Sequence, residues 1–542
     1  LSSHAQGKEK LREVFGNSVK IIDYAKAGFD LAKLVKGLFA DSNSGSEKNW
    51  KGIILMQHGL FTWGATAEES YTKMIDLVTQ AETSLKQPTQ AESNGIDAQA
   101  KYLELLPTLR GALYQVSGKK FLFKLIHDPM TLTALNLKDA KQIFETPPLT
   151  PDHLIRTKPW PIFLKDTSLE AITSTIKAFQ ERYQAYFKKF ENGEEPLFDD
   201  LPRQILIPRI GAIALGEDER SLTINADILE QSIQTKALIY AQDFTFSPLG
   251  EKDLFSMEYR PLQLAKLKLQ KEPKNLSGKV ALICGAAGAI GSGITHELLE
   301  SGALVVISDL GGPKLEDFAA NFASQFPSQV LSLPIDITNM KSIAEGIKQI
   351  QLHWGAIDLL VLNAGLAHVS TLEEMDLEKF QLLERVNIEG TLLLLKAFSK
   401  FFKAQATGGD IVLVSTKNVP SPSASFGAYS ATKAAGHQLA RIASLELAPF
   451  DVRVNMVSPD GVFSDAGTVK SGLWALVGPD RMKARGLDEQ GLEEYYQNRN
   501  LLKTPVTARH VGKAVLYFAT RQSPTTGVSL PVDGGLPDAT PR

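Results

Sequence analysis

The sequence has a single cysteine, Cys284, in 542 residues. No internal disulfide can form, so a reducing, cytoplasmic setting is expected. Long hydrophobic runs are missing too. The longest apolar stretches, such as Thr391–Leu395 and Gly52–Met56, are far too short to cross a bilayer. No charged-then-apolar leader opens the chain, although it begins at Leu1 and not Met, and some preceding N-terminal sequence is expected. Nor does one sign of charge dominate: 58 Lys and Arg stand against 61 Asp and Glu, a net charge of −3. Neither nucleic acid nor a membrane is therefore expected as a partner. There is no internal repeat, and only Asp41–Ser46 and Gln87–Asn94 read as polar surface loops.

What is present is ordinary globular material, 43% hydrophobic and 22% charged, enough for roughly two to four domains. The texture changes near Lys271–Gly278. Beyond it, apolar β-branched runs at 279–284, 303–308, 330–334, 359–362, 411–414 and 452–457 alternate with helix-length segments. Such alternation predicts βαβ units, and continuous rather than alternating apolar runs predict a parallel sheet covered on both faces. The first half is less regular. A strand at Gly52–Met56, a capping box at Thr66–Glu69 opening a helix to about Thr83, helices over 168–190 and 225–241, and a strand with a turn over 204–216 make it α/β or α+β.

Gly285-Ala-Ala-Gly288-Ala289-Ile290-Gly291 lies between a strand ending at Cys284 and a helix beginning near Ser292. Glycines at a strand-to-helix turn let the backbone approach a pyrophosphate, and the helix N-terminus offers N–H donors. A glycine cluster alone also serves tight turns for purely steric reasons, but here both flanking elements are in place. Asp309 closes the next strand, eighteen positions after Gly291. A carboxylate there accepts from a ribose 2′-OH and repels a 2′-phosphate, and no Arg follows, so NAD is expected over NADP. Asp336 and Ile337 end the third strand beside an adenine edge, and Asn363-Ala364-Gly365 ends the fourth beside the cofactor. Tyr429 and Lys433 are spaced i, i+4, on one face of a helix, where a cation favours the phenolate. The hydroxyl pair Ser415-Thr416 follows the strand at 411–414.

Together, the glycine turn, Asn363-Ala-Gly365, Asn387 in Val-Asn-Ile-Glu-Gly, Tyr429, Lys433, Thr526-Gly527 and Val532-Asp-Gly-Gly535 resemble the short-chain dehydrogenase/reductase family over Asn275 to the C-terminus. The resemblance implies Tyr429 as acid/base, Lys433 as the ligand of the nicotinamide ribose that lowers the tyrosine pKa, and Asn387 as support of a proton relay. Two positions depart from the pattern. The middle glycine of the turn is Ala289. The family's serine, thirteen residues before the tyrosine, is Thr416, which keeps the hydroxyl but adds a methyl and a stiffer χ1. Ser415 could replace it only by a one-residue register shift, so Thr416 is the expected donor.

In the first half, Phe15-Gly16, Tyr24, Ala27–Ala32, Leu55–Gly59 and Ser70-Tyr71 resemble the C-terminal part of a class II aldolase/adducin domain. That family holds zinc with three histidines, and His58 matches the third. The His-x-His that supplies the other two occurs nowhere in the chain, and His4, His127 and His153 do not replace it by spacing. Zinc is thus expected only in a longer parent carrying that pair, and a structural role is expected for His58. Thr150–Lys158, Glu258–Lys266, Ser458-Pro-Asp460, Glu494-Tyr-Tyr496 and Pro541-Arg542 extend the match to bifunctional rhamnulose-1-phosphate aldolase/alcohol dehydrogenases.

The expected fold is α/β: an N-terminally incomplete class II aldolase-like region, 1–270, before a Rossmann-type doubly wound parallel sheet, 275–542. The expected activity is NAD-dependent oxidation of a small, lactaldehyde-like hydroxy-aldehyde or alcohol by a homo-oligomer, dimer or tetramer. A zinc-dependent sugar-phosphate lyase and a non-catalytic scaffold are the alternatives. Specificity is expected within 460–501, where Trp474, Tyr495 and Tyr496 could line a pocket or pack as a lid.

Overall fold

The six apolar runs of the second half become β8 (Val280–Cys284), β9 (Leu304–Asp309), β10 (Val330–Pro334), β11 (Leu359–Leu362), β12 (Gly409–Val414) and β13 (Val452–Pro459), and a seventh strand that was not expected, β14 (Ser529–Val532), joins them. A computed structural model describes residues 1–26, 28–40, 50–88, 95–268, 272–465 and 469–536. Asp41–Ser46, Ala27, most of the 87–94 loop and Pro541-Arg542 fall outside these.

The chain divides into two units. The first comprises Leu1–Glu104, Lys124–Gly216 and Arg220–Lys271; the second comprises Leu105–Phe123, Glu217–Glu219 and Glu272–Arg542. Leu105–Phe123 thus clusters with the second unit, outside the 275–542 range read from sequence.

In the first unit, β1 (Val19–Ile22) pairs in parallel with β2 (Gly52–Leu55), which turns antiparallel into β3 (Gly59–Thr62). The helix Ala67–Thr83 follows, with Thr66 Oγ1 accepting from Glu69 N at 3.1 Å. The reciprocal arm of the expected capping box does not close on Thr66. Glu69 Oε2 accepts instead from Ala65 N at 2.7 Å, one residue earlier. A second sheet runs β4-β7-β6-β5, from β4 (Leu122–Ile126), β5 (Ile162–Phe163), β6 (Gln204–Ile207) and β7 (Gly211–Gly216). The helix Leu169–Phe190 is capped by Ser168 and buries Ile172, Ile176, Phe179, Tyr183 and Tyr186, the 3.6-residue stripe of its sequence.

In the second unit the order is β10-β9-β8-β11-β12-β13-β14, and every pairing is parallel. Ala281, Ile283, Val305, Ile307, Val361 and Val412 pack against Ile294, Leu298, Val511, Val515 and Phe518 of the covering helices. The strand order reverses between β8 and β11, so a crevice opens beyond their carboxyl ends. A buried ion pair braces the opposite end of these strands. Arg110 Nη2 meets Asp358 Oδ1 at 2.9 Å, and Asp358 Oδ2 accepts from Val280 N at 3.1 Å.

Candidate active site

The glycine turn sits at the end of β8. Gly285 has φ +77°, and a Cβ there would lie 2.6 Å from Ala364 Cα; one on Gly291 would lie 2.3 Å from Ala286 O. Both positions therefore require glycine. The helix begins at Ala289, three residues before the expected start, with Gly288 as an N-cap that carries no side-chain cap. Its first turn thus has no side-chain cap, and a Cβ on Gly288 would meet nothing within 4 Å. The added methyl of Ala289 is buried. Asp309 Oδ2 accepts from Ala287 N at 3.2 Å and Asn363 Nδ2 donates to Gly285 O at 2.6 Å, so both brace the turn. Ala364 and Gly365 continue the loop after β11. These residues fit a dinucleotide cofactor. Asp336 is engaged locally, accepting from Thr338 N and Oγ1 at 2.9 and 2.7 Å, and Ile337 is buried beside Gly390.

The helix Gly427–Leu447 presents Tyr429 and Lys433 on one face, both buried. Thr416, two residues past β12, hydrogen-bonds the Tyr429 phenol. Ser415 Oγ instead meets His437 Nδ1 at 2.9 Å, although the residue also borders the cleft. Burial pushes the Tyr429 phenol up to about 12, and the Thr416 hydrogen bond offsets part of that. Burial brings Lys433 down to about 8, and its Nζ donates to Val414 O at 3.0 Å.

Asn387 lies in a π-helical turn, Glu384–Gly390, a common accompaniment of functional positions. Its Oδ1 accepts from Leu366 N at 2.9 Å, and its Nδ2 donates to Leu366 O and Thr432 Oγ1 at 2.9 and 3.0 Å. The side chain thus clamps the loop after β11 to the helix Gly427–Leu447. Gly365 fits between them, since a Cβ there would lie 3.1 Å from Lys433 Nζ and 3.2 Å from Asn387 Oδ1.

A cleft with an inner volume of about 120 Å³ opens over Thr416, Tyr429 and Lys433. Trp474 and Tyr496 wall it, Trp474 stacking on Phe463 at 4.4 Å and meeting Tyr496 edge-on at 4.9 Å. Tyr495 is exposed and lies outside the lining. Sequence reading missed Lys417, Phe426, Arg481 and the Asp460–Arg499 pair, all on the rim or wall. Asp460 alone carried a signal, the Ser-Pro-Asp tripeptide after β13.

In the first unit, His58 occupies the β2–β3 turn, its ring edge-on to Phe61 at 5.9 Å and its Nδ1 without a hydrogen-bond partner. Among the described residues, no group of three or more His, Cys, Asp or Glu is placed to hold a metal. One imidazole does not fit a zinc site. The two motif stretches meet in a buried cluster: Lys158 Nζ reaches Tyr183 Oη at 3.3 Å, which donates to Glu258 Oε1 at 2.7 Å, and Gln263 Nε2 donates to Asp152 at 3.0 Å.

A parallel sheet with this turn and this Thr-Tyr-Lys arrangement defines an oxidoreductase of the short-chain dehydrogenase type. Comparison with known proteins agrees: the short chain dehydrogenase model matches residues 279–471. The class II aldolase and adducin N-terminal domain model matches 3–85, and the second domain of class II aldolase matches 100–267. An uncharacterized oxidoreductase, YuxG of Bacillus subtilis, is 30% identical over 556 residues, spanning 99% of this chain and 79% of that protein. The chain belongs to its family, in which class II aldolase-type domains precede a short-chain dehydrogenase domain. Over the second half, an NAD-dependent glycerol dehydrogenase of Listeria innocua is 28% identical, covering 48% of this chain and 94% of the relative. A short-chain type dehydrogenase/reductase from Mycobacterium marinum superposes with a TM-score of 0.41 at 26% identity, over 48% of this chain and 96% of that structure.

Proposed function

We propose that the second unit is an NAD-dependent dehydrogenase that oxidises a small hydroxy-aldehyde or alcohol. The observation carrying this reading is the Thr416–Tyr429–Lys433 arrangement at the floor of a cleft that borders the glycine turn. Gly285, Ala289, Ile290, Gly291, Asp309, Asp336, Ile337, Asn363, Ala364, Gly365 and Lys433 would hold the dinucleotide. When bound, that group accepts two electrons and the carbon-bound hydrogen of the alcohol. Tyr429 Oη takes the hydroxyl proton, and Thr416 Oγ1 donates to the substrate oxygen as it becomes a carbonyl. Lys433 would hold the ribose and carry the proton away from the tyrosine, and Asn387 keeps the lysine's surroundings in register.

Asp309 supports NAD over NADP, because a 2′-phosphate would meet its carboxylate. The aldolase-type half supports a substrate arising from sugar-phosphate cleavage, rhamnulose 1-phosphate being the expectation carried by the sequence motifs. The single buried cysteine supports a cytoplasmic setting. Exposed Ile442 and Leu445 on the catalytic helix support assembly with a second copy.

Dissociation constants for NAD and NADP, with turnover over a panel of short-chain hydroxy-aldehydes and alcohols, test the reading. NAD should bind roughly one to two orders of magnitude more tightly. Equal affinities would remove the role given to Asp309, and absence of turnover across the panel would remove the substrate class.

A further inference from the structure

Arg481 has no part in the chemistry just described, yet it lies in the same cleft. It belongs to the helix Gly472–Arg485, is only 5% exposed, and borders the cavity. Its Nε has no hydrogen-bond partner. The two terminal nitrogens reach Ala424 O and Tyr496 Oη only at 3.5 Å, the outer limit of a hydrogen bond. No carboxylate pairs with it among the described residues. A guanidinium presents five donors and stays charged at any ordinary pH, so burying one with its donors unfilled is costly.

The neighbouring arginine shows what a satisfied one looks like here. Arg499 borders the same cleft, and its Nε and Nη2 both meet the Asp460 carboxylate, the first at 3.1 Å. The aromatic wall holds Arg481 in place, its guanidinium carbon 4.4 Å from the Phe426 ring centroid. Phe426 in turn lies 5.8 Å from the Tyr429 ring. The unfilled fork therefore stands one aromatic ring away from the catalytic phenol. The lining as a whole sets Lys417, Lys433, Arg481 and Arg499 against the single carboxylate of Asp460. Low-dielectric walls focus that excess of positive charge.

We propose that the substrate carries an oxyanion at its tail, a phosphate ester or a carboxylate, and that Arg481 receives it while the reacting hydroxyl sits at Thr416 and Tyr429. The planar fork matches either oxyanion through two parallel N–H···O bonds. The proposal rests on the dehydrogenase reading and narrows its substrate class, away from a neutral aldehyde such as lactaldehyde.

The test uses the full chain and three matched probes: glycerol, glycerol 3-phosphate and glycerate. Binding is followed by tryptophan fluorescence, since Trp474 lines the cleft, with and without NAD, and turnover is measured for the same three. At least one anion should bind about tenfold or more tightly than glycerol, and Arg481→Met should abolish that preference. Arg481→Lys should retain part of it, because it keeps the charge but loses the fork. Whichever anion binds more tightly names the tail. Equal binding of all three probes overturns the proposal, as does an anion preference left unchanged in Arg481→Met. Should Arg481→Met fail to fold, Arg481→Lys decides: a weakened preference supports the proposal, and an unchanged one overturns it. Failure of the dehydrogenase reading shows separately, as wild-type protein that does not bind NAD, while the measurements without NAD still decide the role of Arg481.

Discussion

At the scale of single residues, burial sets Tyr429 and Lys433 in opposite directions, the phenol up to about 12 and the ammonium down to about 8. The phenolate is then scarce at neutral pH, and oxidation, which needs it as proton acceptor, should quicken as pH rises. Reduction, which needs the protonated phenol, should stay nearly level until pH approaches about 12. A kcat/KM for oxidation that climbs with pH beside a level one for reduction checks this, and a flat oxidation profile would contradict it. Thr416→Ala should cost roughly two orders of magnitude in kcat, as for removal of one preorganised donor. Ser415→Ala should cost far less, because its hydroxyl is turned to His437. The reverse order would show that the wrong hydroxyl has been assigned. Both positions were legible as a pair in the sequence, and the thirteen-residue spacing singled out the threonine. Arg481 was not legible, since a lone arginine in a variable segment looks like any solvated charge until its burial is known.

At the scale of elements, the helix Ala289–Glu300 holds the cofactor turn and packs tightly on Ala508–Ala519. A Cβ on Gly293 would lie 2.3 Å from Ala508 C, and one on Gly512 would lie 2.5 Å from Gly293 O. Gly512→Val should therefore cost about 1–3 kcal/mol of stability through overpacking. It should also weaken NAD binding by displacing the helix, which a melting curve and a titration would show; wild-type values for both would refute the account. The six strands from β8 to β13 were readable as apolar, β-branched stretches between helix-length segments, and all but the partly exposed edge strand β10 are largely buried. β14 was not, since Ser529-Leu-Pro-Val532 is short, partly exposed and contains a proline, which suits an edge strand. In the first half, β1, β3, β4 and β5 were not read, and the helix over 219–241 was read six residues short. The π-turn at Asn387 leaves no mark on hydrophobic periodicity at all.

At the scale of the molecule, the second unit depends on a segment far upstream in sequence. Burial alone would raise the Asp358 carboxyl, but Arg110, Lys120 and the Val280 N–H hold it well below the usual carboxylate range. A depressed carboxylate stabilises above its unfolded pKa, so this contribution is complete at neutral pH. It is lost as pH falls below about 4 toward the folded value. Asp358→Asn should cost about 3–5 kcal/mol at neutral pH by leaving Arg110 unpaired, with the difference from wild type shrinking in acid. Denaturant titrations at two pH values check this, and a pH-independent difference would refute it. In the first unit, the purified chain should hold no stoichiometric zinc by elemental analysis. A zinc ion bound by His58 and two other side chains would contradict that reading. The most direct test of the central claim is turnover and NAD binding measured together in Tyr429→Phe. The account expects loss of roughly two to four orders of magnitude in oxidation rate, with NAD affinity nearly unchanged. A variant that oxidises its substrate as fast as wild type would contradict it.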